Sequence, residues 1–267
     1  MKTVNQTIIK RLNLPRPSSR KGQNGRAMII AGSKKYPGAL LYAVKTASRI
    51  ADLVYILTTP ENREMLKKLR LKTAEFLPNS LPSFKDIDCV LVGPGLGISA
   101  RSKNLTKKVL SAKIKAVLDA DALNVMDEKM KELLNPNHIL TPHHREFKKL
   151  FGFKATAVSA QKMAKKYKCT IVLKGPVDYI VSFDGSLRQN KTGNQGMTKG
   201  GTGDVLAGLI AGLFCTNNAF ESAAAGTFIC GKAGDDLYKK VGTFYNAEDL
   251  CEQVPITFSR IVNSHKS

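Results

Sequence analysis

Short apolar runs bounded by Gly, Pro or Asp recur along the chain at intervals too long for hairpins. They are AMIIAG from Ala27, LVYILTT from Leu53, CVLVG from Cys89, AVLDA from Ala116, HILTP from His138 and TIVLKG from Thr170. Helix-period patterns fill the gaps, at Leu40 to Ile50, Glu61 to Leu69, Arg101 to Ser111 and Ser159 to Tyr167. Continuous apolar strands alternating with helices predict a mostly parallel sheet covered on both faces. Such sheets take ligands at the carboxyl ends of their strands. After Gly175 the rhythm changes: DYIVSFDG followed by Leu187 to Asn190 predicts a hairpin turning at Asp184-Gly185, and hence an antiparallel edge. Two long helices rich in Ala and Gly follow, near Gly203 to Phe214 and Phe220 to Lys240, with a last one starting near Ala247. The expected architecture is a three-layer αβα fold in one domain over residues 1–267, without internal repeat or linker.

Composition supports a sizeable core, with 43% apolar and 24% charged residues. Charge adds a second feature, because 42 Lys and Arg against 21 Asp and Glu leave a formal +21 and point to anionic partners. No acid precedes Asp52, so residues 1–20 read as a basic amino-terminal arm, with Lys10, Arg11, Arg16, Arg20 and Lys21 close together. That arm suits either nucleic acid or a solvated surface. No aromatic-studded RNA-binding signature or zinc-finger spacing accompanies it, so the second reading is preferred and no specific nucleic acid is expected. Five scattered cysteines without a C-x-x-C pair fit a reducing compartment, and the cytoplasm is the expected location. No apolar run approaches the roughly 20 residues of a membrane span.

The chemistry concentrates in Asn194-Gln-Gly-Met-Thr-Lys-Gly-Gly-Thr-Gly-Asp204, where glycines crowd the entry to a helix. A helix start offers unpaired amides and a positive dipole end, and Gly200, Gly201 and Gly203 let a phosphate approach that backbone. Asp204 in the first turn is the candidate general base, and the dipole is expected to keep it ionised. Taken alone, the cluster also fits an ordinary loop with a helix-stabilising aspartate. Asp119 and Asp121 flank Ala120 at a strand end, so one is expected to reach a ligand and the other to cap a helix, with the assignment open. Asn124 suits either a phosphate contact or a turn. His143, His144 and Glu146 lack the i, i+4 histidine spacing of a zinc site, so no protein-bound metal is expected there.

GGTGDVLAG, from Gly200 to Gly208, resembles the signature of the ribokinase-like superfamily in its NAD(P)H-hydrate dehydratase branch. GPGLG from Gly93, LDADALN from Leu118, TPH from Thr141 and Lys174-Gly175 follow that family's order, and the similarity runs from about Lys21 to Leu250. The resemblance implies dehydration of hydrated NADH or NADPH by phosphorylation of the ring hydroxyl from ADP or ATP and elimination of phosphate. Asp204 would be the base. Ala39, Gly95, Gly97 and His143 would meet the hydrated nicotinamide nucleotide. Lys174, Gly175, Pro176, Val177 and Asp178, with Gly200, Gly201, Thr202 and Gly203, would hold the adenine nucleotide. Mg²⁺ is implied through nucleotide oxygens and water. A separate epimerase of the hydrate stereoisomers and a homo-oligomeric state are further implications. The chain departs from the family pattern at His144 and Arg145, where Pro and Gly are common, at Gln195, where Pro is common, and at Lys199, a candidate extra charge for the phosphate site.

Two other readings compete. A related small-molecule kinase, acting on hydroxyethylthiazole or a pyridoxine-like alcohol, would share the glycine stretch and the aspartate but stop at the phosphate ester. A nucleic-acid-binding protein on the same scaffold would use the +21 charge, against which the intact Gly-Thr-Gly-Asp argues.

Overall fold

The computed structural model describes residues 1–69, 76–77 and 83–264. Its strands are β1 (Lys2–Thr3), β2 (Arg26–Ile30), β3 (Leu53–Leu57), β4 (Phe76–Leu77), β5 (Cys89–Val92), β6 (Ala116–Leu118), β7 (His138–Leu140), β8 (Thr170–Leu173), β9 (Asp178–Val181) and β10 (Leu187–Asn190). The helices are α1 (Pro37–Ala47), α2 (Pro60–Leu69), α3 (Ala100–Ser111), α4 (Asp121–Asn124), α5 (Glu128–Lys131), α6 (His144–Phe151), α7 (Ala157–Tyr167), α8 (Thr202–Thr216), α9 (Ala219–Val241) and α10 (Ala247–Asn263).

All six apolar runs become neighbouring parallel strands in one sheet of order β1-β10-β9-β8-β7-β6-β5-β2-β3-β4. β9 runs antiparallel to both β8 and β10, so the expected hairpin is present. Outside it lies β1, parallel to β10 with Lys2 opposite Arg188, so the hairpin does not end the sheet. Val4, Ile8, Ile9 and Leu12 are buried in the core beyond β1. The basic stretch is docked by its apolar residues, about four apart, which bury one side of a 3₁₀ helix (Gln6–Arg11), while Lys10, Arg11, Arg16, Arg20 and Lys21 are exposed.

Strand residues alternate between two cores because successive side chains point to opposite faces. Ile29, Leu91, Val117, Ile139 and Val172 face one core with α1, α8, α9 and α10. Ile30, Val92, Leu118, Leu140 and Leu173 face the other with α3 to α7. The Ala/Gly-rich helices are interior packing of a single chain. A methyl carbon on Gly208 would lie 2.4 Å from the Ala43 carbonyl oxygen, and one on Gly212 would lie 2.8 Å from Ile50, so α8 and α1 need glycine at their contact. This close approach anchors α8 so that its amino terminus opens where the parallel strands end.

Candidate active site

Five strand-to-helix connections meet at that end of the sheet. At the end of β5, Gly93 adopts φ +128°, and a methyl carbon there would fall 1.8 Å from the Asp119 carbonyl oxygen. Only glycine lets the two loops touch. Gly95 (φ +61°) abuts the start of α1, where a methyl carbon would meet the Tyr36 carbonyl oxygen at 2.7 Å and Ala39 at 2.9 Å. Ala39 lies within the first turn of α1. The Gly97 amide donates to Asp121 Oδ2 at 2.7 Å. One wall thus combines Ala39, Gly95, Gly97 and Asp121.

The two aspartates divide differently from expectation. Asp119 is buried and accepts from Thr141 Oγ1 and from Lys174 Nζ, both at 2.7 Å. Asp121 opens α4, but no side chain caps that helix, so neither aspartate is the expected cap. Ala120 between them has φ +47°, a costly conformation for a residue with a side chain, and it is overdetermined by the surrounding loops. Asn124 donates to the Ala120 carbonyl at 3.1 Å and accepts from Lys149 Nζ at 3.2 Å; it secures the turn and ties α4 to α6.

α8 begins at Gly201 (φ +97°) without a side-chain cap. Its first intrahelical bond runs from the Val205 amide to the Gly201 carbonyl at 3.0 Å, which leaves the Gly203 and Asp204 amides without a helical acceptor. A methyl carbon on Gly200 would meet nothing within 4 Å, so the hole opens outward there. On Gly201 it would lie 2.6 Å from the Tyr42 ring and 2.8 Å from Ala247, so that position needs glycine on steric grounds too. Thr202 Oγ1 donates back to the Met197 carbonyl at 2.7 Å and fixes the loop. A methyl carbon on Gly203 would lie 3.6 Å from Lys174 Nζ, so the ammonium borders the anion hole.

Burial pushes Asp204 up to about 7; the nearby Asp119 charge adds to this, Lys174 opposes it, and Asp121 and Glu146 raise it further. The helix dipole was expected to keep this carboxyl ionised. Desolvation and three carboxylates outweigh it, leaving a group poised between acid and base near neutrality. Lys174 is the counterpart: burial by itself would lower its pKa, but Asp119, Glu146 and Asp204 together hold it above the ordinary lysine value.

The loop after β8 folds on itself, with the Gly175 amide donating to Asp178 Oδ1 at 3.0 Å and Asn190 Nδ2 donating to Asp178 Oδ2 at 3.2 Å. Pro176 and Val177 form the tip of this turn. Burial raises the Asp178 pKa, partly offset by those two donors. His143 pairs across from Lys174 in a parallel bridge. It caps α6, with Nδ1 accepting from the Arg145 and Glu146 amides at 3.1 Å each, while Glu146 Oε2 accepts from the His143 amide at 2.9 Å. With Nδ1 accepting, a neutral ring carries its proton on Nε2, which lies 3.5 Å from Glu146 Oε1 on a half-exposed side chain.

Lys199 turns toward the loop before α10. Its Nζ donates to the Thr243 and Tyr245 carbonyls and lies 5.6 Å from the centre of the Tyr245 ring. Gln195 reaches Tyr238 Oη at 3.1 Å. Thr141, which carries the TPH resemblance without a role of its own, orients Asp119. His144 Nε2 would lie 3.1 Å from a methyl carbon on Gly175, in the turn after β8. Among the described residues, no three His, Cys, Asp or Glu side chains converge as a metal cage.

The family model described as NAD(P)H-hydrate dehydratase matches residues 27–256. An ADP-dependent (S)-NAD(P)H-hydrate dehydratase of Cenarchaeum symbiosum is 35% identical, with 90% of each chain covered. The bifunctional NAD(P)H-hydrate repair enzyme of Methanocaldococcus jannaschii is 38% identical over 95% of this chain and 56% of its own length. The chain spans about half the length of such bifunctional relatives. The ADP/ATP-dependent NAD(P)H-hydrate dehydratase of Bacillus subtilis, crystallised with ATP and Mg²⁺, superposes with a TM-score of 0.84 at 26% identity over 97% of this chain and 98% of its own. Hydroxyethylthiazole kinase of Pyrococcus horikoshii reaches a TM-score of 0.58 at 15% identity over 91% of this chain and 92% of its own, which shows the shared fold. With its family model matched over most of its length and its glycine, aspartate and lysine signatures gathered at one end of a ribokinase-like sheet, the chain belongs to the NAD(P)H-hydrate dehydratase family.

Proposed function

We propose that this protein restores hydrated NADH or NADPH at the expense of ADP or ATP. One observation carries the reading most directly: a carboxyl with a pKa near 7, Asp204, sits at an uncapped helix start beside a lysine ammonium. In its ionised form Asp204 takes the proton of the ring hydroxyl as that oxygen attacks the terminal phosphoryl group. The new O–P bond forms as the bond to the nucleotide breaks, releasing AMP from ADP or ADP from ATP. The Gly203 and Asp204 amides and Lys174 face the charge spread over the phosphoryl oxygens. The ring C–O bond then breaks with phosphate leaving, and the adjacent carbon gives its proton to the departing phosphate, so the ring double bond returns. His143 Nε2–H and the Ala39–Gly95–Gly97 wall hold the nicotinamide end.

The side chains around this point are hard oxygen donors, which suits Mg²⁺, yet they form no closed cage. The ion would be carried by the nucleotide phosphates and met through water by Asp119 and Asp121. When bound it supplies charge neutralisation between phosphate groups. Relatives from Cenarchaeum symbiosum and Nitrosopumilus maritimus named as ADP-dependent support ADP as the donor. An epimerase of the hydrate stereoisomers is the partner this reading calls for, supported by bifunctional relatives about twice the chain's length. Five free, buried cysteines support a cytoplasmic setting. A homo-oligomer remains part of the proposal, supported by exposed Phe244 and Ile256 rather than by α8 and α9, which are interior.

The kinase reading separates at the product. With NADH hydrate, ADP and Mg²⁺, free phosphate should appear in step with reduced nicotinamide. Accumulation of a phosphorylated alcohol without phosphate release would transfer the site to the kinases.

A further inference from the structure

A cavity lies away from this site. It measures about 450 Å³ and is bounded by the amino-terminal segment, β10 and α9. Lys2, Arg11 and Arg188 line it, Val4, Ile8 and Ala224 form an apolar floor, and Thr3, Asn5 and Thr7 supply polar atoms. No carboxylate lines it, and none of the three cations belongs to an ion pair among the described residues. The two-residue pairing of β1 with β10 sets Lys2 directly opposite Arg188, and the following 3₁₀ helix carries Arg11 to the same cavity. Three like charges held together by the fold without a counter-ion repel one another unless an anion joins them.

We propose that this cavity is a second ligand site, for an organic phosphate: a dianionic or polyphosphate group held by Lys2, Arg11 and Arg188, with an apolar or aromatic body on Val4, Ile8 and Ala224. The volume is that of a metabolite site, and arginines recognise phosphate through paired donors. The site shares no residue with the active site, but β10 connects them. Two residues after Arg188, Asn190 donates to Asp178, which in turn holds the Gly175 amide of the nucleotide loop.

The test uses the intact chain and inorganic pyrophosphate as probe, in calorimetric titrations without Mg²⁺ at two salt concentrations. The wild type should bind two equivalents. Arg11→Gln with Arg188→Gln should lose one equivalent or weaken it at least about tenfold, while Lys174→Met should affect the other. Hydrogen exchange supplies a readout independent of the variants: the amides of residues 2–11 should slow when pyrophosphate is added to the wild type. One equivalent in the wild type, two undiminished equivalents in the arginine variant, or unchanged exchange over residues 2–11 would each overturn the proposal. Loss of the second equivalent at moderate salt together with unchanged exchange would mark it as diffuse attraction to a +21 chain, which also overturns it.

Discussion

Asp204→Asn should abolish activity and yet stabilise the protein, by an amount that depends on pH. The parent carboxyl titrates near 7 in the folded chain against an ordinary value of 3.8. Between those two values the folded state holds a proton that the unfolded state has lost, so for this group stability falls as pH rises and the loss is complete once pH exceeds about 7. From pH 5 to pH 7 the interval covers about two pKa units, or about 3 kcal/mol at 1.36 kcal/mol per unit. Partial exposure of Asp204 reduces this to on the order of 1–2 kcal/mol. Asparagine keeps the shape and never charges, so its advantage over the parent should grow by that amount between pH 5 and pH 8. Urea unfolding of both proteins at the two pH values measures it. With Asp204 as the proposed base, the same titration should govern catalysis by the parent, because only an ionised carboxyl accepts the hydroxyl proton. The kcat/KM for the hydrate should fall about tenfold per pH unit below 7. An acid limb near pH 4, or an Asn variant whose advantage does not grow with pH, would refute the account of how burial and neighbouring carboxylates tune this group.

Lys174→Met should raise the nucleotide KM at least about tenfold and, by leaving Asp119 buried without its cation, cost about 3–5 kcal/mol in denaturant unfolding. Glu146→Gln weakens the cap that orients His143, so the hydrate KM should rise more than the nucleotide KM in steady-state assays, with a stability loss of about 1 kcal/mol. Lys199→Ala should leave the nucleotide KM unchanged, because that side chain serves the Thr243 and Tyr245 carbonyls; a large KM increase would return it to the phosphate site.

The central strands were readable because they are runs of apolar residues buried on both faces, as at Met28 to Ile30 and Val90 to Val92. The glycine signature marked the start of α8 to within a residue. Other features depended on contacts between distant segments. The docking of the amino terminus rests on Val4, Ile8 and Leu12, spaced four apart among positive charges that themselves stay exposed. Lys199 stands one residue from the anion hole in sequence, and only the loop before α10 reveals where it turns. The pKa of Asp204 could not be read locally, since its neighbours Asp119, Asp121 and Glu146 arrive from other connections. His143 as the cap of α6 needed the backbone geometry that places Nδ1 against two amides.

The central claim is that Asp204 at the α8 amino terminus drives nucleotide-dependent dehydration. Its most direct test is the return of reduced-nicotinamide absorbance when the protein is given NADH hydrate, Mg²⁺ and ADP, or ATP in a parallel reaction, with Asp204→Asn alongside. Recovery that requires the nucleotide and disappears in the folded Asn variant is the expected result. Absence of recovery with either nucleotide from a folded wild-type protein, or full recovery by the Asn variant, would contradict it.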